Sequence, residues 1–395
     1  MNRNLSALLP YPFERLDALK EGIRTESNLP HVSLALGEPN HDPPDFVIEC
    51  LTDPNVIHRG LTTYPPTRGG ESLREAIALW LKRRYFIDVE PDTSILPVNG
   101  TREALFSLGQ AVLSGDSNSM TVLPNPFYQI YEGAAFLRGS TPYYVPATER
   151  PEIEEVPTDI WQRAELVYVC SPGNPTGYVT DRELFAYLIE KAQEHEFIVA
   201  SDECYSEVYV KENEAPVGLL EVAASMGLPK FNRCVAFNSL SKRSNCPGLR
   251  SGFVAGDPLV IEQYYNYRTY HGCAMPVHVQ AASERAWSDE EHVVENRAVY
   301  RRKFEATQAT MSRTFGAQPP DGAFYYWPDV GIDDELFATE LFRRENITVL
   351  PGKYLGRTVS GHNPGSNRIR VALVAPHQAC VDAIHRLCRA AQEIR

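Results

Sequence analysis

Three features of the 395-residue sequence predict an α/β protein, in which helices sandwich a mostly parallel sheet and a smaller α+β unit is attached. Short β-rich runs alternate with helical stretches from about residue 95 to 255. The unusual polar residues fall at the C-terminal ends of those runs. After about residue 285 the pattern changes to one long charged helix, brief strands and a terminal helix. The length suggests two structural units, at roughly 100–200 residues per domain. The expected division is 50–284 for the large unit, with 1–49 and 285–395 forming the smaller one together with an N-terminal arm.

The strand candidates of the large unit are 95–98, 120–123, 166–170, 197–200, 234–237 and 252–255, each rich in β-branched or apolar residues and bounded by turn signals. Thr180-Asp181-Arg182-Glu183 reads as a capping box, and Asn99-Gly100-Thr101-Arg102-Glu103 opens a helix directly after a strand. The charged helix is expected from 289 to 311, followed by strands at 324–327, 347–350 and 368–373 and a helix from Pro376. The first fifty residues lack periodicity and are expected to wrap against the second unit or a neighbouring subunit.

Composition narrows the function. Apolar residues at 43% and charged residues at 23% match a soluble globular chain. A formal charge of −13 argues against binding to a nucleic-acid backbone, so an anionic ligand must meet a local basic pocket. The eight cysteines contain no C-x-x-C pair or zinc spacing and read as reduced thiols. Residues 5–9 are too short for a signal peptide, and no run approaches 18 apolar residues, so a cytoplasmic protein with no membrane partner is expected.

The chemistry lies at the strand ends. The run 166–170 enters Ser171-Pro172-Gly173-Asn174-Pro175-Thr176-Gly177, the run 197–200 enters Ser201-Asp202-Glu203-Cys204-Tyr205, and the run 234–237 enters Asn238-Ser239-Leu240-Ser241-Lys242. In a doubly wound sheet these ends line one crevice, which places Asn174, Asp202 and Lys242 within reach of one ligand. A lysine that can link to an aldehyde, beside a carboxylate that keeps a pyridine nitrogen protonated, is what pyridoxal phosphate chemistry requires. Asn174 would bond the ring hydroxyl, and Tyr128 offers a stacking platform. For the phosphate, Arg250 supplies a two-pronged donor, and Gly100-Thr101-Arg102 a helix N-terminus.

This order of motifs resembles the class I/II aminotransferases of pyridoxal phosphate fold type I over nearly the whole chain. Ser239-Leu240-Ser241-Lys242, with Pro247-Gly248-Leu249-Arg250-Ser251-Gly252 after it, is similar to the family's lysine signature. Asn174-Pro175-Thr176-Gly177 and Asp202-Glu203-x-Tyr205 match two further motifs, with flanking matches at Leu36-Gly37-Glu38-Pro39, Tyr64, Gly322-Ala323-Phe324-Tyr325 and Arg368-Ile369-Arg370. The resemblance implies a large domain with a seven-stranded-type sheet. It also implies that Lys242 carries the cofactor and moves the proton, Asp202 faces the pyridine nitrogen, Asn174 and Tyr205 hold the ring oxygen, and Tyr128 stacks. Gly100, Thr101, Arg102, Ser239, Ser241 and Arg250 would surround the phosphate. Tyr64 would reach the phosphate of a second subunit in a homodimer with shared active sites. Arg370 would hold the substrate α-carboxylate, with Gly37 and Asn174 beside it. Arg368 shares its face by strand alternation, and Arg370 is taken as the clamp.

Residues 9–16 (LPYPFERL) and 267–273 (YRTYHGC) are similar to the branch of the family that uses N-succinyldiaminopimelate in lysine biosynthesis. The expected exchange is between glutamate or 2-oxoglutarate and N-succinyl-2-amino-6-oxopimelate. Arg268 and Arg24 are exposed-arginine candidates for such polyanionic amino acid and 2-oxo acid substrates. The alternatives are another fold type I aminotransferase acting on aspartate, alanine or aromatic amino acids, a C–S lyase, or a non-catalytic ligand sensor.

Overall fold

The structure, a computed structural model, describes residues 1–395. Seven strands form one sheet in the spatial order Ile95–Val98, Gly252–Gly256, Cys234–Ser239, Ile198–Asp202, Ala164–Cys170, Met120–Asn125, Thr141–Pro146. Gly252–Gly256 runs antiparallel to both its neighbours, and every other pairing is parallel. Strand Ala164–Cys170 shows why the sheet is covered on both faces. Leu166 and Tyr168 point into a cluster of 18 buried residues on one side, while Val167 and Val169 join one of 43 on the other. On the larger side Trp80 packs on Trp287 at 4.9 Å and edge-on to Phe253 at 5.8 Å.

Several elements differ from their sequence expectation. The edge strand Thr141–Pro146 has a proline near each end and shows little apolar alternation, because an edge position frees part of its backbone from the ladder. The helix Arg182–His195 is capped by Asp181, whose carboxylate accepts from Leu184 N–H, rather than by a box starting at Thr180. Thr180 is buried and its own N–H donates to the Ser171 hydroxyl, so it belongs to the preceding turn. The long helix runs Glu291–Phe315 and ends on Gly316 in the left-handed region.

The smaller unit packs that helix against His377–Ile394 around a second core of 21 buried residues. A three-stranded antiparallel sheet of Leu350–Pro351, Ile369–Ala372 and Tyr325–Tyr326 carries the side facing the crevice. The N-terminal arm is bound to both units. Val32–Ser33 pairs with Ile347–Thr348 and buries Leu34 in the second core, while Asn2 donates to Leu137 O in the large unit.

Arg268 is fully buried and is not an exposed substrate cation. It donates to both Glu103 oxygens, at 2.7 and 2.9 Å, and to Tyr264 and Cys273 O, tying the helix Pro258–His271 to the first turn of the helix Thr101–Val112. Removing one partner of a buried pair costs more than the pair is worth. Glu103→Ala, which strands the buried guanidinium, should therefore cost about 3–5 kcal/mol in urea unfolding, and Arg268→Met distinctly less. Equal losses for the two variants would contradict this.

Candidate active site

The strand register builds the site. Cys170 lies beside Asp202, and Asp202 beside Phe237, so the three loops that follow leave the sheet at one level. On the other flank Gly252 pairs with both Ser239 and Val98, which brings Arg250, Ser239 and the Gly100 turn to one corner. The result is a cavity of about 470 Å³. It is lined by Gly37, Thr101, Arg102, Tyr128, Asn174, Asp202, Tyr205, Ser239, Ser241, Lys242, Arg250 and Arg370, which is every residue expected there except Gly100, at the rim behind Arg250, and Tyr64. Tyr64 is 98% exposed and does not line the chain's own cavity.

Each polar group has a definite environment. Lys242 sits on the single-turn helix Leu240–Arg243, which the Ser239 hydroxyl caps by accepting from Ser241 N–H at 3.0 Å. From the smaller unit, the Asn296 amide donates to the carbonyls of Lys242 and Arg243 at 2.9 and 3.2 Å. Burial lowers the Lys242 amine to about 8, and the fields of Arg370 and Arg250 act in the same direction. Asp202 is 4% exposed; burial raises it, opposed by donors that include Tyr131 O–H at 2.6 Å and Cys204 N–H at 3.3 Å.

Arg370 is 4% exposed and donates to Asn174 Oδ1 and Ala35 O, both at 2.7 Å, with its guanidinium 4.6 Å from the Tyr325 ring centroid. Its buried Nε has no partner. Arg368 lies before the strand, donates to Trp327 O and faces a separate cleft, so the geometry separates the two arginines that alternation alone left on one face. Arg24 lines no part of the cavity.

Of the seven cavity residues with no role assigned from sequence, four stand out. Tyr325 ends the Gly322–Tyr325 motif, and its hydroxyl meets that of Tyr205 at 2.6 Å. A Cβ on Gly37 would collide with that hydroxyl, so only glycine allows the approach. Cys204 lies inside the Asp202–Tyr205 motif and contacts Thr101 Oγ1. Tyr11 and Phe13 come from the N-terminal arm, in the segment 9–16. The motifs marked these segments without showing which side chains turn inward.

The residues fit pyridoxal phosphate. The helix Thr101–Val112 begins at Gly100 with no side-chain cap, so its first N–H groups are free for an anion. Arg250 holds left-handed backbone (φ 54°), which aims its guanidinium across Gly100, where any side chain would strike it. Thr101 and Ser239 complete an anion cradle at one end of the cavity, and Asp202, Asn174 and Tyr205 offer acceptor and donors at the other.

Residues 30–387 match the family model for aminotransferase class I and II. The chain belongs to that family. It is a pyridoxal phosphate-dependent aminotransferase. A crystal structure of an aminotransferase from Neisseria meningitidis Z2491 is 43% identical, with a TM-score of 0.93 over all of both chains. Aminotransferase AspB from Helicobacter pylori 26695 is 34% identical, with a TM-score of 0.89 over 98% of this chain and 99% of that one. The LL-diaminopimelate aminotransferase of Aquifex aeolicus is 29% identical over 97% of both chains. No helix is long and apolar enough to cross a membrane.

An amine attacks an aldehyde only in its neutral form, and below about pH 8 the Lys242 amine is mostly protonated. Capture of pyridoxal phosphate by the apo-enzyme should therefore rise about tenfold per pH unit up to that point and then level off. Stopped-flow absorbance reads this, and a profile still climbing at pH 10 would show an unperturbed lysine.

Proposed function

We propose that the enzyme moves an amino group between glutamate or 2-oxoglutarate and N-succinyl-2-amino-6-oxopimelate. The carrying observation is the cavity's charge pattern. Four cations, Arg102, Lys242, Arg250 and Arg370, face only two carboxylates, Glu38 and Asp202. In this reading Lys242 serves the cofactor and the proton, Arg250 the phosphate, and Arg370 the α-carboxylate. Arg102 remains. Its guanidinium lies over the Tyr11 ring at 5.0 Å and pairs with no carboxylate of the chain, which suits the distal carboxylate of a long dicarboxylic substrate better than the phosphate role expected from its motif. The diaminopimelate in the Aquifex relative's name supports this class. That name also favours a second reading, in which the free diamino acid is used without the succinyl group.

When bound, pyridoxal phosphate supplies an aldehyde carbon that takes the amino group and a ring that accepts the electron pair released at Cα. The chain's own groups do the rest. Arg370, fixed by Asn174 and Ala35 O, orients the α-carboxylate so that the Cα–H bond faces Lys242, whose amine removes and returns the proton. Asp202 holds the pyridine nitrogen's proton, and Tyr128 and the Tyr205–Tyr325 pair fix the ring's plane and its oxygen. We take residues 50–284 as the cofactor-bearing body, and 1–49 with 285–395 as the unit that brings in Arg370 and Gly37. Eight unpaired cysteines suit a reducing cytoplasm. A homodimer would place the exposed Tyr64 of each copy at the other's phosphate.

Arg370→Lys should lower kcat/KM for every amino acid by about 10²–10³-fold, as expected for a buried carboxylate losing its partner. Arg102→Gln should lower it about tenfold or more, roughly 1.4 kcal/mol, for N-succinyl-diaminopimelate and glutamate while sparing alanine. Steady-state kinetics with N-succinyl-diaminopimelate, LL-diaminopimelate, aspartate and phenylalanine decide the substrate. Equal use of aspartate or phenylalanine overturns the assignment, and preference for the free diamino acid selects the second reading. For the shared site, mixing Tyr64→Phe with Lys242→Ala subunits should yield hybrids with one intact site. Activity no higher than that of the parents would rule out sharing.

A further inference from the structure

We infer that Tyr131 is a positioning residue that fixes Asp202 as the proton-holding partner of the cofactor's ring nitrogen. The inference rests on the placement of Asp202 at that nitrogen and not on the choice of substrate. Tyr131 is fully buried on the helix Gln129–Arg138, three residues after Tyr128, and its hydroxyl donates to Asp202 Oδ2 at 2.6 Å. The other carboxylate oxygen accepts from Cys204 N–H at the longer distance of 3.3 Å, and it is the oxygen assigned to the ring.

The phenol is itself held rigidly. Its ring stacks on Tyr168 at 4.6 Å and 12°, and the Tyr168 hydroxyl donates to Leu105 O at 2.7 Å, in the helix that carries the phosphate cradle. Tyr128 meets it edge-on at 5.8 Å and 89°. One side chain therefore links the stacking tyrosine, the ring carboxylate and the phosphate helix. Burial raises the Tyr131 phenol well above its usual range, so it stays a neutral donor at every working pH. A neutral donor stabilises the carboxylate without adding a charge that would compete for the ring proton. Without it, the buried Asp202 becomes more basic and draws the shared proton away from the ring nitrogen, which weakens the electron sink.

The test uses holoenzyme loaded with pyridoxal phosphate labelled with ¹⁵N in the ring. In the parent enzyme the ring nitrogen should give the chemical shift of the protonated form. Tyr131→Phe keeps the stack, loses the hydroxyl, and should move the signal toward the unprotonated form. Its kcat should fall about ten- to a hundredfold while KM for the amino substrate stays within about twofold, since Arg370 is untouched. Tyr168→Phe, which keeps the ring and loses only the tether to Leu105, controls for packing and should leave the signal in place. An unmoved signal in Tyr131→Phe, or equal movement in both variants, overturns the inference. Asp202→Ala separates the two levels. If it leaves the nitrogen protonated, the placement of Asp202 fails; if it removes the signal while Tyr131→Phe does not, only the role of Tyr131 fails.

Discussion

The level register of three parallel strands is the constraint on which the site depends. Cys170, Asp202 and Phe237 are neighbours across the sheet, so the loops bearing Asn174, the Asp202 carboxylate and Lys242 all begin at one height. A shift of one residue in any pairing would turn that strand's side chains to the opposite face and carry its functional residue out of the crevice. Burial on both faces enforces the register. Leu166 and Tyr168 cannot exchange places with Val167 and Val169 without disturbing both clusters. The antiparallel strand Gly252–Gly256 extends the logic to the phosphate corner, because reversed direction puts Arg250 at the same end as Ser239 and the Gly100 turn.

Holding charge at that end is costly, and the structure offsets the cost locally. Arg370 is nearly buried, yet its two terminal nitrogens bond an amide oxygen and a backbone carbonyl rather than a carboxylate. Its charge is thus solvated without being neutralised, and it keeps attraction for a substrate carboxylate. Arg268 is treated the opposite way. Full pairing with Glu103 cancels its charge and makes it a structural tie. The difference between two buried arginines is therefore the charge on the acceptor, which a count of basic residues does not reveal.

Much of this was legible in the sequence, because strand ends advertise themselves. Apolar runs that stop at Asn174, Asp202 and Lys242 locate the crevice, and every central strand of the large sheet was anticipated to within a few residues. What escaped were features set by tertiary contact. The edge strand Thr141–Pro146 lacks alternation, and Thr180 lost its capping role to Asp181 because its N–H was claimed by Ser171. Arg268 looked exposed because only the fold brings Glu103, 165 residues away, against it. Tyr325 and Tyr131 sit in or beside recognised motifs, but which way a tyrosine points depends on Gly37 in one case and Tyr168 in the other.

The same reasoning explains how a chain of net charge −13 attracts anions. Long-range repulsion would oppose a dicarboxylate, and the Debye length of about 8 Å at physiological salt confines that opposition to the surface. Inside the cavity the balance reverses, with four cations against two carboxylates in a region of low dielectric where each charge acts more strongly. Under the proposed function, Asp202 directs its charge at the ring nitrogen, and the exposed Glu38 is the one acidic group left to face substrate. Under the same proposal, a ligand bearing carboxylates at both ends and an amine nearby meets that pattern, with Arg370 and Arg102 for its ends. A monocarboxylate would leave the guanidinium on Tyr11 without a counter-charge. In that reading specificity follows from charge spacing within the crevice rather than from the net charge of the chain.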